Sequence, residues 1–336
     1  SASPAAVRTA LTHLIERSAP LAEHVCGTPK LAEALVAVLA ASRSLTRLID
    51  ARPSDAIDVL GNLDHRPIAT IASADDLLAW RDLEFLRIAA RDLIGLDALD
   101  DVGAALAALG RDVLNEAWRL TEDGKCSIAV VGMGKLGGNE LNYSSDIDIL
   151  FVGEGERKTL DYRARAIMDI ARRCFRVDAN LRPEGRDGPL VRSVESYVSY
   201  WNRWAEPWEF QALLKARLVA GDVALGERWF DAAQRSLWER PFDAEALRSL
   251  RAMKARTEEE AAKTGTGNRE LKRSPGGIRD IEFTVQLLQL VHGHQDPGLR
   301  GPTTLTMLEE LANAGYIDDN DAMRMAAAYR ELRTVE

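Results

Sequence analysis

The sequence predicts an α+β fold that is mostly helical, with one small sheet domain flanked by helical regions. Apolar residues recur at helical spacing over residues 1–122 and again over the last third of the chain. Between these regions lies a short apolar run at 128–131, closed by a glycine, which is typical of a buried strand. From residue 145 the pattern alternates, as expected for a second strand.

These patterns divide the chain into three regions. We expect an N-terminal helical region over 1–122, the sheet domain over 123–220 and a C-terminal helical region over 221–336. A chain of 336 residues is about two average domains long. The last residues, 329–336, lie within an apparently unfinished helix, which predicts that the C-terminal region is truncated.

Composition and charge narrow the class of protein. The chain has 43 basic and 52 acidic side chains and a net charge of -9, which argues against non-specific binding to nucleic acid or anionic membrane. No apolar run approaches the ~18 residues of a membrane span, and no signal peptide is evident. The chain has three widely spaced cysteines, Cys26, Cys126 and Cys174, which suggest neither a disulfide framework nor a zinc site and fit a reducing cytoplasm. Together with the charge and the lack of a membrane span, this predicts a cytoplasmic protein without nucleic-acid or membrane partners.

The N-terminal region should pack as helices. Two apolar faces at helical spacing predict these helices, and Pro53, Gly61 and Pro67 mark turns or helix ends in the segment between the two faces. The residues of these faces are Leu31, Ala34, Leu35, Val38 and Leu39 in the first and Leu78, Phe85, Leu86 and Ala89 in the second.

The stretch 127–153, SIAVVGMGKLGGNELNYSSDIDILFVG, carries the clearest chemical signal. Its glycines permit tight turns and close approach of the backbone to a ligand. In the strand that follows, alternation places Asp146 and Asp148 on one face, with backbones roughly 6.5 to 7 Å apart. Ile147, Ile149 and Phe151 point the other way.

A further strand can bring in a third carboxylate. Residues 161–174 have the apolar face of a helix, and residues 176–182 then alternate, with Asp178 on the polar side. Asp178 would join Asp146 and Asp148 if the two strands are neighbours.

Five tryptophans fall within 193–240, a stretch that otherwise has a helical pattern, and we expect them to pack a core rather than to stack on bases. Lys215 and Arg217 would lie on a helix there, either facing the carboxylates or solvated.

A second glycine-rich loop at 263–279 precedes a helix with Ile278 and Ile281 on its buried side. It is either an anion site or a simple helix-starting turn, and we favour the turn.

Three interpretations of the glycine-rich stretch compete. The spacing of Gly132, Gly134 and Gly137 fits a dinucleotide fingerprint, but about eleven turn-forming residues before the next strand leave no room for the required helix. A GxxxxGK[ST] phosphate loop fails because Leu136 follows Lys135. A two-metal nucleotidyl-transfer site fits better, since several carboxylates on adjacent strands repel one another unless cations lie between them.

The same residues carry a family resemblance. A double glycine, a short spacer and SSDID, with a later strand aspartate, resemble the nucleotidyltransferase superfamily that includes polymerase beta. The segments GMGKLGGNELNYSSDIDILFV, VDANLRPEGRDGPLV, WEFQALLKARLVAGD and PGGIRDIEFTVQLLQL resemble the bifunctional glutamine synthetase adenylyltransferase and adenylyl-removing enzymes. That family has two similar halves. NYSSDID, GGIRDIEF and the preceding helical region look more like the N-terminal, adenylyl-removing half.

The resemblance implies a polymerase-beta-like catalytic domain and metal-dependent phosphorolysis. Inorganic phosphate would attack the adenylyl phosphorus on a modified tyrosine of glutamine synthetase, releasing ADP, in the control of nitrogen assimilation. Asp146, Asp148 and Asp178 would bind Mg²⁺, with Mn²⁺ as an alternative, and Gly137 and Gly138 would cradle phosphate.

Other implications concern the phosphate contacts and the partners. Many nucleotidyltransferases have Gly-Ser where this chain has Gly-Gly, which leaves phosphate contacts to backbone amides or to Ser144 and Ser145. Arg182, Lys215 and Arg217 are candidates for phosphate or leaving-group contacts. The implied partners are glutamine synthetase, a P-II-type nitrogen signal protein, inorganic phosphate, ADP and ATP. Adenylyl transfer from ATP and a regulatory nucleotide-binding module are the alternatives.

Overall fold

The protein is described from a computed structural model that covers residues 4–17, 25, 27–239, 242–263, 271–272 and 274–336, leaving aside the side chains of residues 6 and 260–263. Helices dominate, and a small mixed sheet lies in the middle of the chain, which confirms the predicted α+β class. Cys26 and the glycines at 265 and 267 lie outside the described residues.

Helices fill the described part of the N-terminal region, as predicted. Their bounds are α1 Pro4–Arg17, α2 Pro29–Ala41, α3 Arg43–Ala51, α4 Pro53–Gly61, α5 Ala74–Leu93 and α6 Leu99–Leu120. The predicted apolar face of α2 is buried along its length. Pro53 begins α4 and Gly61 ends it, so both residues delimit a helix as the sequence indicates.

The sheet is built around two antiparallel central strands. Its strands are β1 Ser127–Gly132, β2 Ile147–Glu154, β3 Val177–Asp178, β4 Val191–Arg192 and β5 Arg217–Gly221. β1 pairs antiparallel with both β2 and β5, while β3 and β4 run parallel to successive parts of β2. A dinucleotide fold needs parallel strands joined by a long helix. Here the connection holds only the short helix α7, Gly134–Gly137, so that interpretation is excluded.

Helices cover both faces of the sheet. Ile147, Ile149 and Phe151 point to one face, as predicted, and pack with α6 and with α8, Arg157–Ala171. Leu150 and Val152 point to the opposite face and are buried there. This burial on both faces explains why β2 is more apolar than a half-exposed strand.

The C-terminal half is helical on either side of β5. Its helices are α9 Val194–Arg203, α10 Pro207–Leu213, α11 Val223–Trp238, α12 Ala244–Lys263, α13 Ile278–His292, α14 Thr304–Asn313 and α15 Asp319–Val335. Because α6 and α11 both pack against the sheet, the cores continue across residues 122 and 220. The division into three domains therefore stays a prediction.

Two elements differ from the predicted ones. The strand predicted over 176–182 is only Val177–Asp178, because the Asp178 carboxylate accepts a hydrogen bond from the Asn180 amide and turns the chain. Residues 217–221 form β5 rather than a helix, so the placement of Lys215 and Arg217 on a helix is wrong. α10 ends at Leu213, and the following residues enter the sheet beside β1.

The tryptophans of 193–240 divide into two groups. Trp201, Trp229 and Trp238 are buried in the core on the α11 side of the sheet, as predicted. Trp204 and Trp208 are exposed, by 72% and 38%. Core packing thus accounts for three of these five side chains.

A search of the helices in the described residues finds none that is long and apolar enough to cross a membrane.

Candidate active site

Asp148 and Asp178 face each other at one end of the sheet. They occupy paired positions on the parallel strands β2 and β3, as anticipated if the two strands were neighbours. The backbone of Asp148 also holds the glycine-rich turn, because its carbonyl oxygen accepts a hydrogen bond from the Met133 amide at 2.8 Å. Two carboxylates and the turn therefore meet at this edge.

Gly134 lies directly against the Asp148 carboxylate. Its φ of +52° favours glycine, and a methyl group there would lie 2.8 Å from Oδ2 of Asp148. A side chain at position 134 would therefore displace the carboxylate. Gly134 is a site residue that the prediction of Gly137 and Gly138 missed.

The environment of Asp148 disfavours its charged form. Burial raises the pKa of this carboxyl to about 6, and the charges of Asp178 and Asp146 act in the same direction, against Lys272 and Lys135. A cation beside Asp148 and Asp178 would offset this repulsion. Oxygen donors of this kind suit Mg²⁺, which is commonly held by one or two carboxylates, phosphate oxygens and water.

The third predicted carboxylate is oriented differently. Asp146 precedes β2, is exposed, and lies 2.5 Å from Nε of Arg176 through its Oδ1 atom. Within the described residues, no group of three His, Cys, Asp or Glu side chains is placed to hold a metal ion. The structure thus brings Asp148 and Asp178 together, while Asp146 pairs with Arg176. A role for Asp146 as a third metal ligand stays a prediction.

Gly137 and Gly138, the predicted phosphate cradle, have packing roles. Their amides donate to the carbonyl oxygens of Met133 and Gly134 at 3.1 and 3.0 Å, so these N–H groups already have partners. A methyl group on Gly137 would lie 1.7 Å from the carbonyl oxygen of Lys215. Gly137 is needed because protein backbone passes close to it, whereas a methyl group on Gly138 would lie 3.0 Å from the Glu140 side chain and 3.1 Å from the Pro302 carbonyl. A phosphate-cradling role for the two glycines stays a prediction.

Ser144 and Ser145 belong to the loop that leads into β2. The Ser145 hydroxyl donates to Oδ1 of Asn142 at 2.7 Å, and the Ser144 amide donates to the same oxygen at 3.1 Å. The Ser144 carbonyl also accepts a hydrogen bond from Arg176. These contacts shape the loop that ends at Asp146, and a phosphate role for the two serines stays a prediction.

Lys215 lies in a buried ion pair with Glu140, and a phosphate contact for it stays a prediction. Its ammonium group contacts the Glu140 carboxylate and donates to the Thr304 hydroxyl at 3.0 Å, with Glu282 3.9 Å away. Burial lowers the pKa of Lys215, but Glu140 and Glu282 outweigh this effect and raise it above the ordinary value. The lysine therefore stays charged and ties β5 to α13 and α14.

The two arginines that the sequence analysis proposed, Arg182 and Arg217, also donate hydrogen bonds to backbone carbonyl oxygens. Nε of Arg217 donates to the Gly137 carbonyl at 2.9 Å, which fixes the glycine-rich turn to β5. Arg182 donates to the carbonyl oxygens of Ala179, Gly188 and Arg186, the closest at 2.7 Å. Both guanidinium groups shape the site, while direct contact with phosphate stays a prediction.

A basic groove of about 460 Å³ opens beside Asp146 and Asp178. It lies between α8 and the loop after β3, and five arginine side chains line it. These are Arg165, Arg172, Arg176, Arg182 and Arg186. Arg165 and Arg172 share a face of the chain around α8 at a spacing of seven residues, which is the sequence signal that could have revealed the groove.

The second glycine-rich loop is a helix-starting turn. The Gly276 amide donates to Oδ2 of Asp280 at 2.6 Å, and the amides of Gly277, Ile278 and Arg279 donate to carbonyl oxygens of the same loop. Within the part of the loop that the structure describes, residues 271–272 and 274–279, these donors are therefore occupied. The predicted face of α13 is buried at Ile278 and Ile281.

Comparison with protein families gives two matches. Residues 9–232 match a family model described as glutamate-ammonia ligase adenylyltransferase. Residues 251–336 match one described as GlnD PII-uridylyltransferase. The first match covers the sheet domain with Asp148 and Asp178, and the second begins within α12.

Curated relatives agree with the first match. The chain is 44% identical over 274 residues to a bifunctional glutamine synthetase adenylyltransferase/adenylyl-removing enzyme of Streptomyces coelicolor, covering 75% of this chain and 27% of the relative. With a relative of the same description from Streptomyces avermitilis, identity is 39% over 351 positions, covering 98% and 34%. A Mycobacterium tuberculosis relative is 44% identical over 242 residues, covering 70% and 24%. The chain spans about a third or less of these relatives.

Proposed function

Since this chain belongs to the glutamate-ammonia ligase adenylyltransferase family, we propose that it removes AMP from adenylylated tyrosine of glutamine synthetase by phosphorolysis. The observation that carries the proposal is the facing pair Asp148 and Asp178 beside the glycine-rich turn. Paired carboxylates can hold a divalent cation beside a phosphoryl group, which suits nucleotidyl transfer. Mg²⁺ would be held by these two side chains, and when bound it would neutralise charge on the phosphoryl and leaving oxygens.

The basic groove supports phosphate as the attacking group. Its five arginines outnumber the two aspartates, so the groove attracts anions toward Asp178. Within the described residues, neither Arg165 nor Arg186 has a carboxylate partner, and both guanidinium groups remain available for a phosphate. Inorganic phosphate is anionic near neutral pH, so positioning and charge neutralisation matter more than a strong base.

The reaction exchanges one P–O bond for another. A phosphate oxygen attacks the adenylyl phosphorus, the bond from phosphorus to the tyrosine oxygen breaks, and ADP and a tyrosinate result. Tyrosinate takes its proton from water, and its pKa of roughly 10 makes a nearby cation useful while it leaves. We place this reaction in the cytoplasm, with glutamine synthetase as the protein substrate and a P-II-type nitrogen signal protein as regulator.

A single assay tests both the activity and its direction. Purified chain is mixed with Mg²⁺ and either adenylylated glutamine synthetase plus phosphate or unmodified glutamine synthetase plus ATP, and the released nucleotide is identified by chromatography. We expect ADP from the first mixture. Pyrophosphate and adenylylated glutamine synthetase from the second mixture would instead show adenylyl transfer, which is the rival direction.

Variants assign the reaction to the carboxylates. Asp148→Asn and Asp178→Asn should each lose at least 99% of the turnover, as should wild-type chain in excess EDTA, while circular dichroism stays unchanged. Asp58→Asn, an exposed change in α4, should keep full activity. ADP release by Asp148→Asn at the wild-type rate would refute the assignment. Nucleotide binding that is independent of Mg²⁺ and leads to no turnover would indicate a regulatory module.

A further inference from the structure

A second cavity, of about 230 Å³, opens on the other side of the glycine-rich turn. It lies between Gly134, α10, α12 and α13. Gly134 also touches the Asp148 carboxylate, and Leu181 in the cavity wall follows Asp178 in the chain. The cavity therefore reaches the residue that packs against the Asp148 carboxylate, and a group bound in it would lie near that carboxylate.

The outer wall of this cavity is aromatic. Trp208 on α10 lines it and is 38% exposed, although Trp201, Trp229 and Trp238 are buried in the core. Phe283 on α13 lies in the same wall and is 6% exposed. An exposed indole at the rim of a cavity offers a flat apolar face to a planar ring.

The inner wall carries a pair of amides. Nε2 of Gln211 donates to Oε1 of Gln286 at 2.7 Å. This bond leaves the amide oxygen of Gln211 and the NH₂ group of Gln286 for another partner. If both amides were flipped by 180°, one oxygen and one NH₂ group would still remain. Within the described residues, the side-chain amides of Gln211 and Gln286 make no other hydrogen bond. The cavity thus offers one acceptor and one donor next to an aromatic surface.

Adenine matches this pair. Its 6-amino group donates a hydrogen bond, and the adjacent ring nitrogen accepts one. A single glutamine amide can make both bonds to this base, and here the acceptor and the donor come from two glutamines. Arg279 lines the same cavity and supplies a positive charge for the 5′-phosphate of an adenosine nucleotide.

We propose that this cavity is the nucleobase subsite, in which the adenine ring of the adenylyl group stacks on Trp208 and is recognised by the Gln211–Gln286 pair. The proposal rests on the proposed function, because it assigns part of the same substrate. It names Trp208 as the stacking platform and the two glutamines as specificity determinants.

The test measures binding without turnover. AMP is titrated into the chain in EDTA by calorimetry and by tryptophan fluorescence. Base stacking is worth about 1 to 3 kcal/mol, so Trp208→Ala should weaken AMP binding by about fivefold to 150-fold and remove most of the fluorescence change. Trp208→Phe should retain most of the affinity. Trp204→Ala is the matched control, since Trp204 is exposed nearby but does not line the cavity, and it should bind AMP like the wild type.

Recognition of the 6-amino group is tested with purine riboside 5′-monophosphate, which lacks that group. The wild type should prefer AMP by about threefold to tenfold, the value of one hydrogen bond, and Gln286→Leu should bind both nucleotides equally. Unchanged AMP affinity in Trp208→Ala, an unchanged preference in Gln286→Leu, or no AMP binding by the wild type would each overturn the subsite.

The two proposals fail in different ways. If the wild type releases no ADP from adenylylated glutamine synthetase while Trp208→Ala loses the AMP binding that the wild type shows, the function is wrong and the subsite stands. If Asp148→Asn is inactive while Trp208→Ala binds AMP normally, the function stands and the subsite is wrong.

Discussion

Replacing Lys215 with methionine separates a structural role from a phosphate-binding role. The side chains of Lys215 and its partner Glu140 are each 8% exposed, and the Thr304 hydroxyl donates to the Glu140 carboxylate at 3.2 Å. Methionine has a similar length, so the change removes the charge and leaves Glu140 buried without its main partner. An unpaired buried carboxylate is strongly disfavoured.

The expected loss follows from this burial. Removing one partner of a buried ion pair costs about 3 to 5 kcal/mol of unfolding free energy. Because Glu282 is also within 3.9 Å of Nζ, Lys215→Met leaves two carboxylates near each other and the loss should lie toward the upper end. Lys125→Met, which changes a lysine with a 72% exposed side chain, should alter stability by no more than about 0.5 kcal/mol.

Urea unfolding monitored by circular dichroism measures the effect. Adding Glu140→Gln to Lys215→Met should restore part of the lost free energy, since the second change removes the unpaired charge. Phosphorolysis by the folded fraction should keep its KM for phosphate. If Lys215→Met unfolds like the wild type and raises that KM tenfold, Lys215 contacts phosphate and the structural role is refuted.

Three further predictions concern the site. In metal-free buffer, Asp148→Asn should be more stable than the wild type above pH 6, by up to about 3 kcal/mol, and equal to it below pH 4. The reason is that the native pKa of Asp148, about 6, lies above the unfolded value of 3.8, so ionisation of this carboxyl destabilises the native state as the pH rises from 4 to 6. Urea unfolding across pH 4–8 measures this difference. Gly137→Ala should prevent stable folding because of the backbone 1.7 Å away, whereas Gly95→Ala, with φ +72° and open space, should cost about 1 to 2 kcal/mol in thermal melts. Arg186→Gln should raise the KM for phosphate severalfold and leave kcat unchanged, while exposed Arg157→Gln changes neither, as steady-state kinetics would show.

Local patterns predicted the carboxylate pair because each strand carries its own signal. The alternation around Asp148 and around Asp178 placed both side chains on polar faces, and strand pairing then brought them together. The strand β5 was missed because LLKAR continues the apolar spacing of α10, and only pairing with β1 makes 217–221 a strand. Sheet pairing is a long-range interaction, so local periodicity does not reveal it.

Side-chain roles could not be predicted where the interacting residue lies far away in the chain. Lys215 finds Glu140 across 75 residues, and a sequence shows only that both are charged. Gly137 is required by the close approach of the Lys215 backbone, which the sequence does not reveal. The same short motif can therefore serve catalysis or packing, and only the contacts distinguish the two.

These contacts also connect the C-terminal helices to the catalytic edge of the sheet. The Thr303 hydroxyl donates to the Gly138 carbonyl at 2.9 Å, and Arg333 on α15 donates to the Glu140 carbonyl at 2.5 Å. Both carbonyls lie in the segment that follows Gly134, the residue packed against Asp148. Because this segment is short and buried, a shift of α14 or α15 would move the glycine-rich turn relative to the carboxylate. The C-terminal helices are thus positioned to set the geometry of the site, in addition to forming one wall of the second cavity.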